Sequence, residues 1–204
     1  MAQYSGFRLP FPDHPVNLLH RHRCTRIVHK ALAEVRPQFR LHYGHGVHGV
    51  PHWSRVWFHG RHLAESMDLD PAILAWFAYL HDSQRHIDGR DPLHGHRAAD
   101  FATRLRRSRV ITELDDPAFE RLCEAMRLHS DGHIEGDPVL RACWDADRLD
   151  LWRVGIEPDP HRLCTANARK PDVLRRANRM AEASFGFAWK PERRQSGTLV
   201  ERQS

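Results

Sequence analysis

An unbroken apolar run in this chain ends in two groups that bind metals. Residues 73–80 read Ile-Leu-Ala-Trp-Phe-Ala-Tyr-Leu, and His81 and Asp82 follow directly. If the run is helical, Leu74, Phe77 and His81 share one helix face, so the imidazole turns toward the core. A buried imidazole and a buried carboxylate both need partners, and a divalent ion satisfies the two together. This feature predicts a metal site inside a helical core.

Four other predicted helices place a ligand-type group on an apolar face in the same way. His52, His94, His129 and Asp147 each stand at helical spacing from apolar neighbours. A carboxylate such as Asp147 is costly on a buried face unless a cation lies opposite it. The sequence therefore predicts five helices that each direct one ligand-type group inward.

The pattern along the chain is helical, without convincing strand alternation. Asp precedes Pro at three predicted helix starts, where Asp is expected to be the N-cap and Pro the first helical residue. These starts are Asp70-Pro71, Asp116-Pro117 and Asp137-Pro138. We predict an all-α fold: a single helical bundle in residues 45–185, a helical extension in residues 1–44 packed on it, and a polar tail in residues 186–204.

Composition narrows the class of protein. A chain of 204 residues, 41% of them hydrophobic, is long enough for one substantial core. No apolar run approaches the roughly 20 residues needed to cross a bilayer, and residues 1–15 lack the apolar segment of a signal peptide, so a cytoplasmic location is expected. The four cysteines form no Cys-x-x-Cys pair and are expected to be reduced core residues. The net charge of +5 fits an anionic ligand.

The order of the ligand-type residues resembles that of the HD-domain metal-dependent phosphohydrolase superfamily. Its signature is His, then His-Asp, then a later Asp, which here correspond to His52, His81-Asp82 and Asp147. Residues 145–150, Asp-Ala-Asp-Arg-Leu-Asp, are similar to a segment of one bacterial branch in which the middle Asp is the ligand. The resemblance covers roughly residues 45–155. It implies an HD-domain bundle with the metal site between core helices.

The resemblance leaves the number of metal ions open. With one ion, the ligands would be His52, His81, Asp82 and Asp147. With two ions, Asp82 would bridge them, and His94 and His129, which are similar to the additional histidines of dinuclear members, would hold the second. Mixed imidazole and carboxylate ligands accept Mn, Fe, Co, Ni, Zn or Mg, so the ligand set does not identify the metal.

Two arginines are predicted to bind a substrate phosphate beside the catalytic Asp82. Arg55 lies one turn after His52, and Arg85 lies three residues after Asp82, where a continued helix would keep it facing the site. Since Ser83-Gln84-Arg85 stands where some relatives carry an acidic catalyst, no general acid is assigned.

Four further residues have weaker or supporting predicted roles. Arg97 and Arg148 are weaker candidates for binding phosphate than Arg55 and Arg85. Asp145 and Asp150 flank the predicted ligand Asp147 and are expected to orient ligands or to cap arginines.

The resemblance implies a metal-dependent phosphohydrolase, a phosphomonoesterase or phosphodiesterase, acting on a small phosphorylated molecule such as a nucleotide or cyclic nucleotide. One alternative is a dinuclear iron oxygenase, because one branch of the superfamily builds such a site from a similar set of residues. A second alternative is a noncatalytic module that binds nucleotides or nucleic acid. We expect a small phosphorylated partner and no membrane, and nucleic acid is less favoured. The sequence does not determine the oligomeric state.

Overall fold

Helices account for all of the regular structure in residues 18–185, which are the residues that the computed structural model describes. The helices are α1 (Leu18–Val35), α2 (Val50–Met67), α3 (Pro71–Leu80), α4 (His94–Arg107), α5 (Asp116–Leu128), α6 (Pro138–Arg148) and α7 (Pro171–Phe185), with short 3₁₀ helices at Leu151–Val154 and Pro160–Arg162. The predicted all-α class is confirmed. The predicted polar tail at 186–204 lies outside the described residues.

Helix α3 occupies the centre of the bundle. Every residue from Ala72 to Leu80 is buried, and the helix contacts α1, α2, α4, α5 and α6. A helix that is apolar on all sides has to be enclosed by other helices. The residues that follow α3, His81 and Asp82, therefore emerge in the protein interior rather than at its surface.

Helix α1 belongs to the same core. Ile27, Ala31 and Val35 recur every four residues and are fully buried, and α1 packs along α3. The described part of the predicted extension thus contributes apolar side chains to one continuous core.

Aspartates cap two helices as the sequence predicts. Asp70 precedes α3 and accepts the backbone N–H of Ala72 at 2.9 Å, while Asp137 precedes α6 and accepts that of Val139 at 2.8 Å. In each case the carboxylate satisfies an N–H that has no partner within the helix. These caps fix where the helices begin.

The predicted start of α5 is wrong by one residue. Asp115, not Asp116, is the N-cap and accepts the N–H of Ala118 at 2.8 Å, so Asp116 is the first helical residue. Either of the two consecutive aspartates could act as the N-cap. Pro117 does not distinguish them, because a residue at either of the first two helical positions has no N–H partner within the helix, and proline is tolerated at both.

Helix α3 does not continue to Arg85, contrary to the prediction. It ends at Leu80, and the N–H and hydroxyl of Ser83 both donate to the carbonyl of Leu80, at 3.0 and 2.7 Å, which closes a turn. A second turn bond joins the Arg85 N–H to the Asp82 carbonyl at 3.2 Å. The turn brings the Arg85 side chain back beside Asp82, 3.4 Å away.

Two further predictions can be compared with the structure. All four cysteines are buried, and none is in a disulfide, as expected for reduced core residues. Within residues 18–185, no helix combines the length and apolar character needed to cross a membrane.

Helix α4 lies very close to α5 at Gly95, next to His94. A Cβ atom at Gly95 would overlap the carbonyl oxygen of Met126 and would lie 3.2 Å from Nδ1 of His129. Because backbone oxygen cannot move aside as a flexible side chain can, this contact requires glycine. The missing side chain allows His94 and His129 to meet.

Replacing Gly95 with alanine should push α4 away from α5. We expect Gly95→Ala to lower the free energy of unfolding by about 1–3 kcal/mol, the usual cost of overpacking, measured by denaturant unfolding. Gly44→Ala is the matched control, because a Cβ there meets nothing within 4 Å. Equal stability of the two variants would contradict the close approach at Gly95.

Candidate metal centre

The structure brings all six predicted ligand residues together at helix ends. They are His52 in the first turn of α2, His81 at the end of α3, Asp82 in the turn after it, His94 at the start of α4, His129 at the end of α5 and Asp147 in the last turn of α6. The four histidines and Asp82 are buried. The predicted inward direction of these groups is therefore correct.

One half of the cluster contains His52, His81, Asp147 and one oxygen of Asp82. Nε2 of His52 lies 3.1 Å from Nε2 of His81, 3.5 Å from Asp82 Oδ2 and 3.4 Å from Asp147 Oδ1. Nε2 of His81 lies 3.6 Å from each of the same two oxygens. Ligand atoms about 2.1 Å from one ion are roughly 3.0–3.4 Å apart in octahedral or tetrahedral geometry. The observed spacings are close to that range.

The other half contains His94, His129 and the second oxygen of Asp82. Asp82 Oδ1 lies 3.1 Å from His94 Nε2 and 3.7 Å from His129 Nε2, and the two ring nitrogens are 2.8 Å apart. The two oxygens of Asp82 thus face different pairs of histidines. One carboxylate joins the two halves of the cluster.

Hydrogen bonds fix the proton of each ring on the side away from the cluster. Nδ1 of His52 donates to Asp150 Oδ2 at 2.7 Å, Nδ1 of His81 to the Phe77 carbonyl at 3.1 Å, and Nδ1 of His129 to the Met126 carbonyl at 2.7 Å. Nδ1 of His94 donates likewise to the carbonyl of Asp91. Since carbonyl and carboxylate oxygens only accept, each Nδ1 carries a proton. In a neutral ring Nε2 then presents a lone pair.

Lone pairs therefore face each other in both halves of the cluster. The Nε2 atoms are 3.1 Å apart in the pair of His52 and His81, and 2.8 Å apart in the pair of His94 and His129. Two buried lone pairs at these distances repel unless a proton or a metal cation lies between them. Oδ1 of Asp147 is also buried and forms no hydrogen bond with any described residue. The donor set fits a divalent cation, which accepts lone pairs and carboxylate oxygens together.

The carboxylate of Asp82 is held in its ionised form. Burial raises its pKa, but without a metal ion, protons on the facing nitrogens of His81, His129, His52 and His94 outweigh burial and hold the pKa well below its usual value. A metal cation in place of those protons favours the ionised form in the same way. An ionised carboxylate is the form that binds a metal.

Asp150 orients His52 from behind, as the sequence predicts, and Arg55 holds Asp150. Arg55 donates from Nε to Asp150 Oδ1 at 2.6 Å and from Nη2 to Oδ2 at 3.0 Å. Burial raises the pKa of Asp150, yet the hydrogen bond with His52 and the charge of Arg55 lower it to about 2. A hydrogen-bonded carboxylate of this kind fixes the tautomer and direction of a metal-binding imidazole.

The prediction that Arg55 binds substrate phosphate is wrong. Its guanidinium is buried in the bidentate ion pair with Asp150, on the side of His52 that is turned away from the clustered ring nitrogens. It is also absent from the cavity in front of the cluster. Sequence spacing placed Arg55 near His52 but could not show which side of the ring it would occupy.

A cavity of about 410 Å³ opens in front of the cluster. It is lined by Asp82, Arg85, His94, His129, Ser130, Gly132, Asp147, Arg148, Leu151, Arg153, Ile156, Glu157, Pro158, Asp159, Arg162 and Leu163. Its volume falls in the range of small-molecule sites. The candidate metal ligands are thus accessible to a small molecule from one side.

Arg85 lies inside this cavity, at the position that the sequence predicts for a phosphate-binding group. Its Nη1 lies 3.1 Å from His94 Nε2 and 3.4 Å from Asp82 Oδ1, and its Nη2 donates to the Gly89 carbonyl at 2.8 Å. Its Nε is buried without a hydrogen-bond partner among the described residues. The Nε–H of Arg85 is therefore a donor that its described neighbours leave unused.

Sequence reasoning missed two other arginines of the cavity, Arg153 and Arg162. Arg153 donates to the carbonyls of Val47 and Asp150, at 2.9 and 3.2 Å, and its Nη1 lies 3.9 Å from Asp147 Oδ1. Both arginines belong to residues 151–163, which lack helical periodicity. The only signal for Arg153 was its position three residues after Asp150.

The weaker arginine candidates are held by the protein. Arg97 donates to the Gln84 carbonyl at 3.0 Å and pairs with Asp91. Arg148 lines the cavity, but it donates to the carbonyls of Arg162 and His133 at 2.9 and 2.6 Å. Both arginines fasten loops near the cluster.

The prediction for Asp145 is corrected, because it neither orients a ligand nor caps an arginine. Its carboxylate accepts the N–H of Cys164 at 2.7 Å and both the N–H and the hydroxyl of Thr165, at 2.8 and 2.7 Å. Asp145 instead anchors the end of the 151–163 segment to α6.

Comparison of the chain with protein-family models, with curated proteins and with solved structures found no match. Within the described residues, His52, His81 and Asp147 form one group that could hold a metal ion, and His81, Asp82 and His129 form another.

The role of Asp150 can be tested by replacing its carboxylate with an amide. In Asp150→Asn, the amide cannot accept from both His52 and the Arg55 guanidinium without placing an N–H against a donor. We expect the affinity for Mn²⁺ or Zn²⁺ to fall by about 10–100-fold, measured by competition with a chelator.

Asp116→Asn is the matched control, because it removes an exposed carboxylate that pairs with Arg106 at 2.7 Å. Circular dichroism of both variants should match wild type. If Asp150→Asn binds metal as tightly as wild type, the orientation of His52 does not depend on Asp150.

Proposed function

We propose that this protein is a metal-dependent phosphohydrolase with an HD-domain type of site for two divalent ions. The observation that carries the proposal is the arrangement of Asp82, whose two oxygens face different pairs of histidines at the inner end of an arginine-lined cavity. His52, His81 and Asp147 would hold one ion, and His94 and His129 the other, with Asp82 shared. The resemblance of the motif order to that superfamily supports the same conclusion.

When bound, the ions supply Lewis acidity and a water of lowered pKa. The residues of the chain then have separate tasks. Asp150 keeps the His52 ring in its binding orientation, while Arg85, whose Nε–H has no partner among the described residues, would present its guanidinium to the oxygens of a phosphate beside Asp82. The mixed imidazole and carboxylate ligands suit Mn, Fe, Co, Ni, Zn or Mg.

The reaction is hydrolysis of a phosphate ester of a small molecule, with nucleotides among the candidates that the sequence suggests. A bond forms between phosphorus and the oxygen of water, the ester P–O bond breaks, and the alcohol leaves with a proton from that water. Arginines that hold the phosphate oxygens favour this step, because they stabilise charge that builds on those oxygens.

A dinuclear iron oxygenase remains the second candidate, because a similar set of four histidines and two aspartates supports it. Four arginines and four carboxylates line the cavity, so divalent ions bound at Asp82 would make it positive. A positive cavity would suit an anionic substrate, which supports the phosphohydrolase over the oxygenase. The two candidates differ in oxygen consumption. A noncatalytic binding module is disfavoured, because binding alone would not require the complete set of six metal-ligand residues.

Arg85 should bind a substrate phosphate. We expect Arg85→Ala to lower kcat/KM for a hydrolysed ester by the equivalent of about 1.5–3 kcal/mol, the range for a charge-assisted hydrogen bond. Arg85→Lys should recover only part of this loss, because an ammonium lacks the bidentate fork. Steady-state kinetics on a panel of monoesters and diesters, with metal content measured for each variant, provides the test.

Arg107→Ala is the matched control, because Arg107 is exposed at the end of α4 and does not line the cavity. If Arg85→Ala hydrolyses every ester as well as wild type does, Arg85 does not bind the substrate. If metal-loaded wild type hydrolyses no ester of the panel, the proposed activity is wrong.

A further inference from the structure

The guanidinium of Arg85 reaches two of the candidate metal-ligand atoms. Its Nη1 lies 3.1 Å from Nε2 of His94 and 3.4 Å from Oδ1 of Asp82. Both atoms belong to the half of the cluster that also contains His129, whose Nε2 lies 3.7 Å from the same oxygen of Asp82. A permanent positive charge of the protein therefore lies beside the ligands proposed for the second ion.

The contact with His94 uses the electron pair that a metal ion would need. A guanidinium N–H can only donate a hydrogen bond, so the ring nitrogen that faces it is the acceptor. Nδ1 of the same ring donates to the carbonyl of Asp91, so in the neutral ring Nε2 is that acceptor. A metal ion about 2.1 Å from Nε2 would take the same lone pair and would lie close to Nη1 of Arg85. Two cations that close to each other repel.

Two backbone contacts keep Arg85 in this place. Its Nη2 donates to the carbonyl of Gly89 at 2.8 Å, and its backbone N–H donates to the carbonyl of Asp82 at 3.2 Å. Because the side chain is largely buried, water cannot readily replace these bonds. Moving the guanidinium away from His94 therefore costs free energy, which the binding of a second ion has to offset.

The other half of the cluster lies in a different environment. Nη1 of Arg153 stays 3.9 Å from Oδ1 of Asp147, beyond hydrogen-bond distance, and this oxygen has no hydrogen-bond partner among the described residues. Arg153 instead donates to backbone carbonyls. An ion held by His52, His81 and Asp147 would therefore not have to displace Arg153 from a ligand atom. The two halves of the cluster differ in this respect.

We propose that Arg85 competes with the second metal ion for His94 and Asp82, so that the two ions bind in a fixed order. This inference rests on the two-ion site proposed above. The first ion binds in the half that contains His52 and His81, and the second binds only as Arg85 leaves His94. The released guanidinium then donates to a phosphate. Because such coupling is reciprocal, a phosphate that draws Arg85 away from His94 favours the second ion.

Titration of the full chain with Mn²⁺ tests this competition without any turnover. Electron paramagnetic resonance separates one bound ion from two neighbouring ions, because two Mn²⁺ ions joined by one carboxylate interact magnetically. We expect wild type to bind the first ion more tightly than the second. Arg85→Met keeps a long side chain but removes its charge and its donors. This variant should bind the second ion about 10–100-fold more tightly than wild type, the fold-change for a hydrogen bond to a charged group, and should bind the first ion equally well.

Arg85→Lys and Arg162→Met are the matched variants. An ammonium keeps the positive charge near His94, so the affinity of Arg85→Lys for the second ion should stay closer to wild type than to Arg85→Met. Arg162 also lines the cavity, but its side chain has no hydrogen bond or ion pair with a candidate ligand among the described residues. Arg162→Met should therefore leave both affinities at the wild-type values. Circular dichroism of all three variants should match wild type.

Different results would overturn different parts of this account. A second-ion affinity in Arg85→Met equal to that of wild type rejects the competition but leaves the two-ion centre in place. Equal tightening in Arg162→Met also rejects it, because the total charge of the cavity would then set the affinity. Binding of a single ion by both wild type and Arg85→Met rejects the competition together with the two-ion centre. Failure to hydrolyse esters rejects the proposed activity without altering these titrations.

A crystal structure of wild type with two bound Mn²⁺ ions checks the competition without any substitution. Nη1 of Arg85 should then lie beyond hydrogen-bond distance of Nε2 of His94. A guanidinium that keeps its contact with His94 beside a bound second ion would overturn the inference.

Discussion

The short distances between the clustered histidine nitrogens are the constraint on which the rest of the structure depends. Nε2 atoms lie 3.1 Å apart in one histidine pair and 2.8 Å apart in the other, and each ring carries its proton on the opposite nitrogen. Buried lone pairs at such distances destabilise the folded chain unless a proton or a metal cation lies between them. The fold holds them together because α3 is enclosed on all sides and because Gly95 lets α4 approach α5.

The groups around this cluster are divided between two sides. Behind it, Arg55 and Asp150 form a buried ion pair that orients His52, and backbone carbonyls orient the other rings. In front of it, Arg85 and Arg153 face a cavity. Because these rear groups bond to one another, the cavity is the side of the described structure from which a ligand can reach the cluster. The buried Nε–H of Arg85, which has no hydrogen-bond partner among the described residues, lies on that side.

Local spacing in the sequence was sufficient to predict the helices and the inward direction of the six ligand residues, because a helix face is encoded within a few turns. It was not sufficient where partners come from distant segments. Arg55 was wrongly assigned to substrate phosphate because its actual partner, Asp150, lies 95 residues away in the sequence and cannot be found from local spacing. The prediction that α3 continues to Arg85 was wrong because Ser83 closes a turn by donating to the Leu80 carbonyl. Arg153 was missed because residues 151–163 lack periodicity.

A crystal structure of the Mn²⁺-loaded protein with an anomalous difference map tests the two-ion site most directly. We expect two peaks, both within about 2.5 Å of an Asp82 oxygen. One should also contact His52, His81 and Asp147, and the other His94 and His129. A single peak, or peaks that avoid these side chains, would contradict the shared role of Asp82 and with it the proposed dinuclear centre.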